Sequence, residues 1–175
     1  MLITTSRKPV AHSRRLAKAL CQYFPGCVYA SRGKESFEGL CESAYESGHN
    51  LICVIFEKHG SPSRLSLAKI VLYRDGAGYE YLNEAVAIKN IQFHPNLKQA
   101  LNARHAAARI SGDFSQSIMS LFGVEESAFG TDESGPLEAV ISKNRISFMF
   151  EGKPCLELDY FISKSIPDSE MAGEG

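Results

Sequence analysis

Apolar residues change their period along this chain, and the changes mark out alternating strands and helices. Residues 2–4 form a short strand candidate. After Pro9, Leu16, Leu20, Tyr23 and Phe24 recur at helical spacing while Arg14, Arg15 and Lys18 fall on the other side, which predicts an amphipathic helix with a basic outer face. Residues 27–30 read as a second short strand. Ser36 suits a helix N-cap, with Phe37, Leu40, Cys41 and Ala44 on the inward side, Glu38, Glu42 and Glu46 on the outward side, and Gly48 placed to end the helix. Residues 51–56 are continuously apolar, as expected of a strand covered on both faces, and residues 65–73 follow as a longer strand. The predicted order to this point is β-α-β-α-β-β.

A further strand ends at Ile91, and His94 to Asn96 reads as a junction. Beyond it the pattern predicts an Ala-rich helix over 97–108, a short helix around Phe114 to Phe122, and strands at 139–142, 146–150 and 155–162. Residues 166–175 are small, acidic or Gly, so a flexible acidic tail is expected. Ile52-Cys53-Val54-Ile55-Phe56-Glu57, followed by a Gly turn, Pro62, Leu65 and Leu67, is echoed by Ile146-Ser147-Phe148-Met149-Phe150-Glu151, a Gly turn, Pro154, Leu156 and Leu158. The echo suggests two related halves, about 1–93 and 94–165, in which Ile55 matches Met149 and Phe56 matches Phe150. The competing explanation is two hairpins that share turn chemistry only.

At 175 residues and 44% apolar content the chain has material for one domain of two small fused parts. Its apolar runs fall short of the ~20 residues a bilayer requires, and a soluble, cytoplasmic protein is expected. The five cysteines are odd in number and contain no C-x-x-C pair, which favours reduced core thiols over disulfides or zinc. Charge changes the picture most. Residues 1–34 carry Arg7, Lys8, Arg14, Arg15, Lys18, Arg32 and Lys34 and no acid, a formal +7, while the remaining residues hold twelve bases against twenty acids, a formal −8.

Such a segregated basic segment is the footprint of a polyanion-binding surface, most often phosphate. If the first strands are parallel, the loops 5–9 and 31–34 leave the same sheet edge, and each leads into a helix N-terminus whose free N–H groups favour an anion. The candidate RNA-binding set is therefore Thr5, Ser6, Arg7, Lys8, Arg14, Arg15, Lys18, Arg32, Gly33 and Lys34. Tyr29, Tyr73, Tyr79 and Tyr81 are candidates for stacking on bases, although tyrosines at alternating strand positions are more often half-buried sheet residues.

Catalytic chemistry is little supported. Gly33-Lys34 is not a phosphate-binding P-loop, because Val28 stands where the first Gly is needed and Glu35 separates Lys34 from Ser36. His12, His49, His59, His94 and His105 show no metal or triad spacing; His12, beside the basic helix, is the one placed to meet phosphate. A cysteine nucleophile would need a low-pKa thiol at Cys27 or Cys41. No catalytic residue, metal or cofactor is expected.

Leu2-Ile3-Thr4-Thr5-Ser6-Arg7-Lys8-Pro9, the basic helix, Tyr29-x-x-Arg32-Gly33-Lys34-x-Ser36, the apolar strand ending in Glu57 and the Gly60-to-Pro62 turn resemble the Brix-domain proteins of ribosome biogenesis. The resemblance covers roughly residues 2–165 and is to the bare-domain archaeal type. It implies an α/β fold of two pseudo-repeated halves, each resembling the anticodon-binding domain of class II aminoacyl-tRNA synthetases. It also implies a non-catalytic factor that binds or chaperones pre-rRNA on the pre-ribosomal particle. The acidic second half aligns with no motif of that family and is expected to offer a surface to ribosome-assembly proteins. A monomer without membrane association is expected, and a tRNA- or anticodon-binding accessory module is the alternative.

Overall fold

The computed structural model describes residues 1–24, 26–74, 76–103, 109–112 and 135–164. In chain order these form β1 (Leu2–Thr5), α1 (Ala11–Tyr23), β2 (Val28–Tyr29), α2 (Phe37–Glu46), β3 (Leu51–Lys58), β4 (Ser61–Tyr73), β5 (Gly76–Phe93), α3 (Leu97–Asn102), β6 (Arg109–Gly112), β7 (Leu137–Ser142), β8 (Arg145–Phe150) and β9 (Lys153–Lys164). Among the described residues the strands make one nine-stranded sheet in the order β2-β1-β3-β4-β5-β9-β8-β7-β6. β1 pairs in parallel with β2 and β3, β6 pairs in parallel with β7, and the other pairings are antiparallel. The protein is thus mixed α/β and dominated by a large sheet. The short helix expected around Phe114 to Phe122, the end of the Ala-rich helix and the tail lie outside the described residues.

The apolar run in β3 is explained by cover on both faces. Cys53 and Ile55 enter the cluster beneath α1 with Leu16, Leu20 and Tyr23, whereas Ile52 and Val54 enter the cluster beneath α2 with Phe37, Leu40 and Cys41. Ser36 caps α2 as expected, its Oγ accepting from the Gly39 N–H at 3.0 Å. α1 reaches further than the strands next to it in sequence. Its cluster also takes in Leu137, Ile146, Phe148, Leu156 and Leu158, so one core runs beneath α1 from β1 to β9. Tyr23 Oη donates to the Met149 carbonyl at 2.9 Å, and its ring meets Phe148 edge-on at 4.9 Å. Gln22 Nε2 donates to the Ala103 carbonyl at 3.0 Å. Each large side chain buried here contributes about 1.5–3 kcal/mol of transfer free energy, so α1 ties together strands more than a hundred residues apart.

The echo between residues 52–67 and 146–158 has a local cause. His59 and Gly60 have φ of 52° and 73°, and Glu151 and Gly152 have φ of 50° and 72°. Two successive left-handed residues suit a tight two-residue hairpin loop, for which a Gly at the second position is the usual choice. In both hairpins the pairing register also shifts next to the loop, opposite Pro62 and near Pro154. The residue matching itself fails. Ile55 is fully buried in the α1-side cluster and Phe56 packs on the α2 side, whereas in β8 it is Phe148 and Phe150, not Met149, that join the α1 side. β3 has a parallel neighbour and β8 lies between two antiparallel ones, so the hairpins share a turn without sharing a place in the sheet.

Candidate nucleic-acid interface

Parallel pairing decides where the basic loops emerge. Leu2 and Ile3 of β1 face Val28 and Tyr29 of β2, and Thr5 faces Ile55 of β3. Chain segments 6–10 and 30–36 therefore leave the carboxyl edge together, as a right-handed crossover requires. Thr4 Oγ1 donates to the Ala30 carbonyl at 2.9 Å and pins the second loop against the first strand.

Arg7, Lys8, Gly33 and Lys34 are exposed in these loops, and Arg14, Arg15 and Lys18 are exposed along α1. Gly33 adopts φ of 56° at the loop tip, a conformation costly for residues with a Cβ. Ser6 is half-buried. Arg32 is half-buried: its guanidinium lies 5.3 Å from the centre of the Phe37 ring, and its Nε donates to the Glu35 carbonyl at 3.3 Å. Thr5 departs from the sequence expectation. It is fully buried in β1, out of reach of any ligand.

The helix starts carry acidic neighbours that the sequence reading did not include. The Val10 N–H donates to Glu57 Oε1 at 2.9 Å, so a carboxylate stands at the entrance to α1. Glu35 and Glu38 flank the start of α2, where Ser36 supplies the cap. A further anion there meets like charge, and the exposed cations at this edge are arginine and lysine side chains.

α1 and α3 lie side by side and enclose an open groove of about 600 Å³. Arg15 and Lys18 line it from α1, Lys98 from α3, and Phe93, Pro95 and Leu101 add apolar surface. His12 packs against Phe93 with ring centres 5.1 Å apart, while His94, also in the wall, meets Glu157 Oε2 at 2.9 Å. Sequence reading missed Phe93 and Lys98. Lys98 is the first base after the junction in an Ala-rich helix, a weak signal, and nothing in spacing joins residue 98 to residue 15.

Tyr79 and Tyr81 form an aromatic cluster with Phe37 beneath α2, at 4.4 Å and 6.2 Å between ring centres. Both are half-buried, as tyrosines at alternating strand positions usually are. Tyr29 is half-buried, and Tyr73 is exposed at the β4–β5 turn. Burial pushes the Cys21 thiol up to about 12 and the Cys41 thiol up to about 11, and raises Cys27, Cys53 and Cys155 as well. Such thiols stay protonated at neutral pH, the opposite of the low-pKa thiol that a cysteine nucleophile needs. Among the described residues no cluster of His, Cys, Asp and Glu is placed to hold a metal, and no helix is long and apolar enough to cross a membrane.

A curated protein of Thermococcus kodakarensis, described as a probable Brix domain-containing ribosomal biogenesis protein, is 32% identical over 94 residues, covering 53% of this chain and 45% of that protein. A protein of Methanococcoides burtonii with the same description is 31% identical over 113 residues, covering 65% of this chain and 64% of its own length. The chain is thus similar in sequence to archaeal proteins of that description. It spans less than two thirds of the length of either. No family model matches it. A probable ribosomal biogenesis protein from Aeropyrum pernix has a solved structure that superimposes with a TM-score of 0.65 at 20% identity, covering 91% of this chain and 93% of that one, which establishes a shared fold.

Proposed function

We propose that the chain is a non-catalytic, cytoplasmic rRNA-binding factor in ribosome biogenesis, holding pre-rRNA on a basic surface built from its first 34 residues. One observation carries the reading: parallel β1, β2 and β3 bring Arg7, Lys8 and Lys34 to a single sheet edge, at the start of the helix that exposes Arg14, Arg15 and Lys18. The archaeal relatives, described as ribosomal biogenesis proteins, support the same process.

The strand order supports one domain of two related halves, about 1–93 and 94–165. Apart from the edge strand β2, β1-β3-β4-β5 and β6-β7-β8-β9 show the same pairing sequence toward the middle of the sheet, one parallel contact and then two antiparallel ones. This correspondence sets β3 against β7 and β4 against β8, one strand away from the match suggested by the hairpin echo. Each half is read as a variant of the anticodon-binding fold.

The test is crosslinking of the protein to RNA in its own cells, with sequencing of the attached fragments and mapping of the attached peptides. The expected result is rRNA joined to peptides from residues 6–34. Recovery of tRNA in its place would favour an anticodon-binding accessory module, and crosslinks confined to the Glu38, Glu42 and Glu46 face would refute the surface.

A further inference from the structure

We propose that the groove between α1 and α3 is a seat for single-stranded RNA, taking one or two unpaired nucleotides with their phosphates on Arg15, Lys18 and Lys98 and a base against Phe93. This rests on the RNA-binding reading above and adds to it a second contact region and a preference for unpaired strands.

Three observations converge on the groove. Its described lining contains no acidic residue, and among the described residues neither Arg15, Lys18 nor Lys98 is ion-paired. Glu157, which meets His94 of the groove wall, is also paired with Arg145. An ensemble of three cations beside apolar side chains is complementary to a nucleotide, whose phosphate is anionic and whose base has an apolar face. Phe93 is half-buried, with one side packed by His12 at 5.1 Å, so its position is held while part of it still meets the groove.

The shape selects the strand form. A volume of about 600 Å³ lies within the range of small-ligand sites. A duplex keeps its bases stacked inside and presents a convex backbone, so it meets the cations at the rim but cannot fill the concavity. An unpaired nucleotide can be splayed out and laid against an aromatic ring. Arg14, Arg15 and Lys18 follow one another along α1 from the basic loops toward the groove, so one extended strand can touch both regions.

The experiment titrates the full chain with an eight-nucleotide single-stranded RNA and with a duplex of the same length, at several salt concentrations. Lys98→Gln alters an exposed side chain, and Phe93→Leu keeps an apolar group of similar size, so both variants retain the packing. Each phosphate contact on a single strand contributes roughly −0.7 to the slope of log K against log salt. Lys98→Gln is therefore expected to weaken single-strand binding about fivefold at ~0.1 M salt and to flatten the slope by about 0.7. Phe93→Leu is expected to weaken it about tenfold, in the range of base stacking on an aromatic ring. Duplex binding by Phe93→Leu should match the parent, because a duplex meets only the cations at the rim.

If neither variant changes single-strand binding while Arg7→Gln with Lys8→Gln does, the groove is not a site and the RNA-binding reading stands. Tighter binding of duplex than of single strand, or equal binding of a polyglutamate peptide of matched charge, also overturns the proposal. If the parent binds neither RNA, the groove and the wider reading fall together.

Discussion

α1 and α2 pack on opposite faces of the same strands, yet they are opposite in charge and unequal in reach. α1 exposes Arg14, Arg15 and Lys18 and contains no acid, whereas α2 exposes Glu38, Glu42 and Glu46 and contains no base. Beneath α1 the core extends to β7, β8 and β9, while the cluster beneath α2 is confined to residues 2–81. The inward face of each helix decides where it docks. The outward face is then free to carry any charge at little cost in stability, and the sheet holds the two potentials on separate sides, about a Debye length or more apart.

The largest effect expected from this comparison is on stability. Phe148→Ala should cost about 3–5 kcal/mol, because Phe148 is fully buried against Tyr23 and Phe24 at the meeting point of α1 and the second set of strands. Phe56→Ala and Phe150→Ala should cost less, since both side chains are only half-buried. Urea denaturation of the three variants checks the order, and an equal loss for all three would contradict the placing of Phe148 at the centre of the core beneath α1.

The next effect is on RNA affinity. Replacing Arg14, Arg15 and Lys18 together by Gln should weaken single-strand binding about 100-fold at ~0.1 M salt, from three phosphate contacts at about 0.7 each. Replacing Glu38, Glu42 and Glu46 by Gln should leave binding unchanged or tighten it slightly. A loss of affinity in the glutamate variant would place RNA on the wrong face. Within the loops, Arg7→Gln with Lys8→Gln should flatten the salt slope by about 1.4, read from titrations at four or more salt concentrations.

Alkaline pH probes both cores at once. Cys21 lies in α1, and Cys41 lies on the buried face of α2. Their thiols titrate near 9.0 when unfolded and at about 12 and about 11 when folded. Above pH 9 the unfolded chain therefore binds fewer protons than the folded one, and stability must fall as pH rises from about 9 toward 12. Melting temperatures that hold constant from pH 8 to 11 would contradict this burial, as would rapid alkylation of either thiol at pH 7. The smallest effect belongs to Arg32→Ala, which removes the contact with Phe37 at the entrance to α2 and should cost about 0.5–1 kcal/mol in the same denaturation assay.

Local features of the fold were legible in the sequence because local physics sets them. The 3.6-residue recurrence of Leu16, Leu20 and Tyr23 located α1, the cap at Ser36 located the start of α2, and the unbroken apolar run in β3 announced cover on both faces. The readings that failed depended on distant neighbours. Thr5 looked like a loop hydroxyl beside Arg7, but the strand continues through it and buries it against β3. The start of α1 looked free of negative charge, but Glu57, 47 residues away, accepts from the N–H of its N-cap residue Val10. The hairpin echo compared turns that demand the same left-handed residues, and turn chemistry carries no information about which strand lies alongside.

The sequence alone determined the segregation of seven bases into the first 34 residues and the positive charge of that segment, because net charge needs no partner to exist. It also determined which side of each helix faces inward, since period and hydropathy act within a few residues. Tertiary structure alone decided that α1 spans strands from both ends of the chain and lies beside α3, placing Arg15 and Lys18 across a groove from Lys98 and Phe93. That juxtaposition is the summed outcome of many weak apolar contacts between segments some 80 residues apart, none of which leaves a periodic trace in either segment by itself.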